Sequence, residues 1–143
     1  MSIHSDDSRP PAPELTYTVA PSGRPGDAGS APGSRSLAPA LILLHGRGAD
    51  ENDLLALAPA FDRRFITIGI RAPYRFPFGG YTWFDMNDLA SPDIGQVLSS
   101  LTALADCIRD LPGGHPIDPA PLLGVHPCAA ASSLPLYRVQ AQN

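Results

Sequence analysis

The chain has 143 residues, a formal net charge of −4 and two cysteines, which fits one domain and excludes two ordinary ones. Its basic residues are scattered and form no stripe, so neither nucleic acid nor an anionic membrane surface is favoured as a partner. Cys107 and Cys128 stand in no zinc-ligand spacing, so we expect no disulfide framework, no metal site and no cofactor.

The first residues, Met1 to Asp7, contain no basic segment followed by an apolar one, as a signal peptide would. The chain also has no apolar run approaching the roughly 18 residues of a membrane helix. We therefore expect a cytoplasmic protein without a membrane span.

The amino-terminal part is predicted to hold one strand between two irregular segments. Residues 1–14 are polar and rich in proline, and we expect a disordered tail. Leu15 to Val19 alternates apolar and polar side chains, which is typical of a half-buried strand. Residues 21–39 are rich in Pro, Gly and Ser, and are predicted to be a flexible loop or linker.

The centre of the sequence is a strand, a glycine loop and a helix. Leu41 to Leu44 is a short apolar run typical of a buried strand, and His45-Gly46-Arg47-Gly48 follows it as a tight loop. Asp50 to Phe61 is predicted to be an amphipathic helix with Asp50 as N-cap. Backbone N–H groups in such a loop suit a negatively charged oxygen.

A second apolar strand is predicted from Arg64 to Ile70. Two such strands joined by one helix make a βαβ unit, which implies a parallel sheet with a right-handed crossover. Tyr74 to Phe84 then contains six aromatic residues without regular spacing. We predict a long loop there, at the sheet edge where ligands bind in open α/β folds, either as a binding groove or as a lid over the core.

The clearest predicted helix begins with Ser91 as N-cap and Pro92 at the first helical position. Its apolar residues recur every three or four positions, and Pro112-Gly113-Gly114 is expected to stop it. Ile117 to Gly124 is predicted to lead into one more short strand, and residues 125–143 to form an irregular tail. The positions that define the helix are Ile94, Val97, Leu98, Leu101, Leu104, Ala105, Ile108 and Leu111.

Three motifs in this order, His45-Gly46-Arg47-Gly48, Arg71-Ala72-Pro73 and Tyr81-Thr82-Trp83-Phe84-Asp85, resemble the bacterial phospholipase/carboxylesterase family. This family is related to the acyl-protein thioesterases within the α/β-hydrolase fold. The resemblance covers about residues 39–124. It implies an α/β fold in which residues 15–124 form a truncated α/β-hydrolase sheet with helices on its faces.

The resemblance also implies a carboxylic-ester or thioester hydrolase acting on a small-molecule ester or acyl substrate. Gly46, Arg47 and Gly48 would form the oxyanion loop, with the donor N–H on Arg47. Trp83 would line the acyl or alcohol groove. Without the family, the loop could equally be a tight strand-to-helix turn with no ligand.

The family's serine elbow is missing, so no catalytic residue is assigned. The corresponding position holds Gly124-Val125-His126-Pro127-Cys128, and no Asp or Glu follows Asp118. We interpret His126 and Cys128 as tail residues rather than a catalytic pair, because no acid orients them.

We therefore expect a chain that lacks the triad and is inactive alone, as a frameshift or a premature stop would produce. A non-catalytic module that binds an acyl chain or a protein remains an alternative, and so does a product without function. The sequence leaves the oligomeric state open.

Overall fold

The computed structural model describes residues 12–20, 37–88, 91–118, 122–125 and 137–139. The predicted tail at residues 1–14 and the predicted loop at residues 21–39 lie mostly outside these ranges. His126 and Cys128 lie outside them entirely. The predicted domain boundaries therefore stay predictions.

The main sheet has five strands and one long helix beside it. In chain order the elements are β1 (Tyr17–Val19), β2 (Ala40–Leu44), a 3-10 helix (Leu55–Ala60), β3 (Ile66–Ile70), β4 (Tyr74–Arg75), β5 (Tyr81–Thr82), α1 (Ile94–Gly114), β6 (Leu122–Val125) and β7 (Tyr137–Val139). The strand order in the main sheet is β1-β3-β2-β6-β7, and β4 and β5 form a separate hairpin. β2 runs parallel to both β3 and β6, while the outer strands β1 and β7 are antiparallel to their neighbours. The structure therefore confirms a partial α/β fold.

The core is built on β2 and β3, whose residues are buried on both faces of the sheet. Every residue of β3 is buried, and four of the five residues of β2 are. Strands covered on both sides are continuous apolar runs rather than alternating ones, and this is why the sequence predicted both strands correctly. Ala103 and Leu111 of α1 complete the core beside these strands.

The helix α1 confirms the prediction of a long helix, although its ends differ from the predicted ones. Asp93, not Ser91, is the N-cap, and its carboxylate accepts a hydrogen bond from the backbone N–H of Gln96 at 3.0 Å. The helix continues through Pro112 to Gly114 instead of stopping there. A proline in the last turn removes only one intrahelical hydrogen bond, and Leu111 just before it is anchored in the core at 1% exposure.

The predicted helix from Asp50 to Phe61 is wrong in its first half. The chain there makes turns, and only Leu55–Ala60 is helical, as a 3-10 helix. The Asp50 carboxylate accepts a hydrogen bond from the N–H of Asn52 at 2.7 Å, and the Asp53 carboxylate accepts one from the N–H of Asp50 at 3.2 Å. Such local bonds compete with helical ones, and Pro59 lacks the N–H that a helix would need.

Two segments predicted to be irregular contain short strands. The aromatic loop includes the β4–β5 hairpin, whose turn uses Gly79 and Gly80 at φ values of 109° and 70°. The tail predicted for residues 125–143 contains β7, which pairs with β6. A strand edge can pair with any extended segment through backbone groups, and a pairing of this kind leaves no periodic signal in a three-residue strand.

No helix among the described residues is both long enough and apolar enough to cross a bilayer.

Candidate functional site

The carboxyl ends of the three parallel strands meet at one edge of the sheet. Leu44 of β2 pairs with Ile70 of β3, and Leu43 pairs with Val125 of β6. The loop that begins at His45 and the residue Arg71 therefore leave the sheet side by side. In open α/β sheets this edge is where ligands bind.

His45 is a buried residue that fixes the start of the loop. Its Nδ1 lies 2.7 Å from the carbonyl oxygen of Gly46, and the backbone N–H of Ala72 donates to its Nε2 at 3.0 Å. Because Nε2 accepts a hydrogen bond, the proton must be on Nδ1, which donates to Gly46. The ring is 1% exposed, so it ties the loop to the segment after β3 rather than facing a substrate.

Trp83 lies against His45. Its indole N–H donates to the His45 carbonyl oxygen at 2.9 Å, and the two ring centroids are 5.8 Å apart. The Ser100 hydroxyl of α1 donates to the Trp83 carbonyl oxygen at 2.5 Å, so the residue connects the loop to the long helix. The predicted role of Trp83 in lining a substrate groove stays a prediction.

The β4–β5 hairpin packs directly on the glycine loop. The N–H of Gly48 donates to the carbonyl oxygen of Tyr81 at 2.9 Å, and the N–H of Tyr81 donates to that of Ala49 at 2.9 Å. Gly48 has a φ of 81°, a conformation that glycine adopts easily. A Cβ on Gly80 would lie 2.2 Å from the Gly48 carbonyl oxygen. Two glycines therefore allow the loop and the hairpin to meet.

Arg47 has a different backbone environment from its neighbour Gly48. Within the described residues, its N–H donates to no backbone or side-chain acceptor, whereas the Gly48 N–H is used by Tyr81. Its guanidinium lies over the rings of Phe76 and Phe84, at 5.6 and 5.9 Å from their centroids, and donates to the Phe84 carbonyl oxygen at 3.4 Å. The side chain is thus held to the aromatic segment, and the N–H is the group that can receive a ligand oxygen.

An open groove of about 650 Å³ borders this loop and is lined by Arg47, Phe84, Met86 and Asp88. A second cavity of about 550 Å³ lies between β1, the 3-10 helix and the start of β3, with Phe65 and Ile66 among its lining residues. That cavity is at the opposite end of β3 from Arg71. We place the candidate site at the groove, because the loop and the strand ends converge there.

Next to the loop, Glu51 and Arg71 form a buried ion pair that the sequence did not predict. The Arg71 guanidinium donates to both carboxylate oxygens of Glu51, at 2.5 and 2.6 Å, and Glu51 is only 4% exposed. Arg71 also lies over the Tyr81 ring, 4.7 Å from its centroid. Glu51 was expected to favour a helix dipole; instead it joins the loop after β2 to the end of β3 and to the hairpin.

Hydrogen bonds from Arg71 hold the pKa of Glu51 below its ordinary value of 4.5. A carboxyl group whose pKa is lowered on folding adds stability above its unfolded pKa, and that stability is lost as the pH falls through the lower, folded value. We expect the urea midpoint of the chain to fall as the pH drops below about 4.5. In Glu51→Gln this dependence should be weaker.

Asp62 adds to the same acid dependence, because Arg64 lowers its pKa to about 2. An Asp62→Asn variant therefore serves as the matched control in these unfolding measurements. If Glu51→Gln kept the full acid dependence, the ion pair would not be its source.

No group of three or more His, Cys, Asp or Glu side chains that could hold a metal ion occurs in the part of the chain that the structure describes.

No protein-family model matches the chain, and no curated protein matches it by sequence. Among solved structures, it is similar to one described as the crystal structure of esterase PE8, with a TM-score of 0.58 and 21% sequence identity. The match covers 79% of this chain and 51% of that chain, so the chain spans about half the length of its structural neighbour. At this identity the likeness shows a hydrolase-like fold.

Proposed function

We propose that the chain carries the oxyanion loop of a carboxylic-ester or thioester hydrolase similar to the phospholipase/carboxylesterase family. The observation that supports this most is the Arg47 N–H, which has no acceptor within the described residues and lies in a glycine loop at the end of β2. The hydrolase-like fold supports it as well. Gly46, Arg47 and Gly48 form the loop, and Trp83 lies behind it. We further propose a cytoplasmic location.

The chemistry of ester cleavage explains what this loop would do. Attack on an ester carbonyl places a negative charge on the carbonyl oxygen, and N–H donors that already point at this oxygen stabilise the transition state. In α/β-hydrolases one donor comes from this loop and the other from the residue after the nucleophile. Here the hydrogen bonds of His45 and Tyr81 fix the loop before any substrate arrives, so the Arg47 donor needs no rearrangement.

The other half of the machinery is missing from this sequence. In the family, the nucleophile follows the strand that corresponds to β6, and here that position is His126, with no serine beside it. No Asp or Glu follows Asp118 to orient a catalytic histidine. We therefore propose that this polypeptide binds an acyl oxygen without completing hydrolysis. The alternative of a non-catalytic acyl-binding module makes the same prediction for turnover.

We expect the purified chain to hydrolyse p-nitrophenyl butyrate far below the ~1 s⁻¹ that ordinary enzymes exceed. When a triad is removed, binding and the oxyanion hole retain at most about 10³–10⁴-fold acceleration over water. The check is the initial rate, measured with a fluorophosphonate probe to detect any reactive hydroxyl. Turnover at ordinary esterase rates together with covalent labelling would contradict the missing nucleophile.

Two variants at Arg47 test the oxyanion loop itself. Arg47→Pro removes the backbone N–H, whereas Arg47→Ala keeps it and removes only the guanidinium. Because a hydrogen bond to a charged group contributes about 1.5–3 kcal/mol, we expect Arg47→Pro to weaken binding of butylphosphonate by roughly 10- to 100-fold. Arg47→Ala should bind nearly as the wild type does. Trp83 is the only tryptophan in the chain and lies against His45, so its fluorescence reports the titration.

Circular dichroism must show that both variants are folded before the affinities are compared. If Arg47→Ala lost as much affinity as Arg47→Pro, the guanidinium would be the anion-binding group. If neither variant lost affinity, the loop would not bind the anion.

A further inference from the structure

The helix α1 carries a row of exposed aliphatic side chains beside the face that packs on the core. Ala103 and Leu111 are buried, and Leu104, Cys107 and Ile108 pack partly against the core. A second set, described by spacings of four, three and four residues, points elsewhere. Its members are Ile94, Leu98 and Leu101, which are 60%, 55% and 58% exposed, and Ala105, which is also exposed.

This spacing is that of a coiled-coil seam, in which apolar residues alternate three and four positions apart. We call these four residues the α1 seam. A surface helix normally carries charged side chains opposite its core face, but no residue from Ile94 to Ala105 is charged. Three large aliphatic side chains together on an uncharged helix surface mark an interaction site rather than ordinary scatter.

From this surface we infer that two copies of the chain associate through an antiparallel pairing of their α1 seams. A two-fold axis midway along the seam would place Leu98 opposite Leu101 and Ile94 opposite Ala105 of the other copy. Each large residue then meets either another leucine or a small alanine that leaves space for it. The surface is therefore complementary to itself, as a two-fold interface requires.

Charge favours a second copy as the occupant. Because the twelve-residue seam region is uncharged, pairing it with itself buries no charge and brings no like charges together. The antiparallel orientation also places the positive end of each helix dipole near the negative end of the other. Asp106 and Arg109, which pair with each other at 2.7 Å, lie beyond the seam and keep their exposure at its margin.

Sedimentation velocity of the full chain over a range of concentrations tests the pairing. We expect a reversible dimer, and we expect Leu98→Glu to weaken its dissociation constant by about 100-fold or more, because the two-fold axis buries two unpaired carboxylates. Phe78→Glu is the matched control, since Phe78 is 90% exposed but lies outside the seam. It should leave the dimer intact. Leu98 is more than half exposed, so the variant should keep the wild-type circular dichroism.

Cross-linking tests the orientation in a chain where Cys107 and Cys128 are replaced by serine. An equimolar mixture of Ile94→Cys and Ala105→Cys chains should form a mixed disulfide dimer on mild oxidation, in preference to either self-pair. Preferential Ile94→Cys self-pairs would overturn the antiparallel arrangement. A wild-type chain that sediments as a monomer at every concentration would overturn the proposal, and so would a Leu98→Glu variant that dimerises as the wild type does.

Discussion

Replacing Gly69 with alanine is expected to destabilise the chain by about 3 kcal/mol, the upper part of the range for overpacking a well-packed interior. A Cβ at this position would lie 2.1 Å from the backbone carbonyl oxygen of Glu51. Gly69 itself cannot retreat, because it is paired with Thr18 of β1 on one side and Leu43 of β2 on the other. The segment at Glu51 would have to move, and the urea-unfolding free energy measures that cost.

Gly113→Ala is the control for this substitution. It adds the same methyl group in a place where no heavy atom lies within 4 Å, inside the last turn of α1. Alanine favours a helix over glycine by about 1 kcal/mol, so this variant should be neutral or slightly more stable. Equal stabilities of Gly69→Ala and the wild type would show that Glu51 does not pack on β3 in solution.

The sequence was sufficient to predict the elements that are buried most completely. β2 and β3 are covered on both faces, so their sequences are uninterrupted apolar runs that needed no information about partners. α1 has a regular apolar spacing over five turns, so the helix was correctly predicted although part of that spacing lies on the exposed seam. The periodicity alone could not separate the side that faces the core from the side that does not, because both are aliphatic.

The errors between Asp50 and Phe61 arise from contacts that the sequence pattern does not contain. The apolar positions there have helical spacing, but Leu57 is 52% exposed and the carboxylates of Asp50 and Asp53 bond to nearby backbone N–H groups. Glu51 was interpreted as a favourable charge at a helix start, whereas Arg71, twenty residues later, draws it into the interior. Long-range pairing of this kind overrides local propensity.

The candidate site was predictable in part for the same reason. Adjacent residues carry the glycine loop, so His45-Gly46-Arg47-Gly48 could be recognised directly. Which N–H remains available could not, because it depends on Tyr81 accepting a hydrogen bond from Gly48 and leaving Arg47 without one. The clamp made by Trp83 on the His45 carbonyl oxygen joins residues 38 positions apart and has no local signal.

The ion pair of Glu51 and Arg71 contributes to both the fold and the shape of the site. It connects the segment after the glycine loop with the end of β3, and Arg71 supports the Tyr81 ring whose backbone holds Gly48. A buried ion pair need not be more stabilising than apolar residues of similar size, but the loss of one partner leaves a buried charge that is costly. The two single variants and the double variant should therefore differ strongly.

Arg71→Met is expected to destabilise the chain by about 3 kcal/mol, the low end for breaking a buried pair, because the arginine side chain is itself 31% exposed. Adding Glu51→Gln should recover part of the loss, since the remaining carboxylate no longer has to be buried without its partner. Urea unfolding of the wild type, both single variants and the double variant gives the coupling energy, which we expect to exceed about 1 kcal/mol. Arg64→Met, at an exposed pair with Asp62, should change stability little. Additive single effects would show that Glu51 and Arg71 act independently.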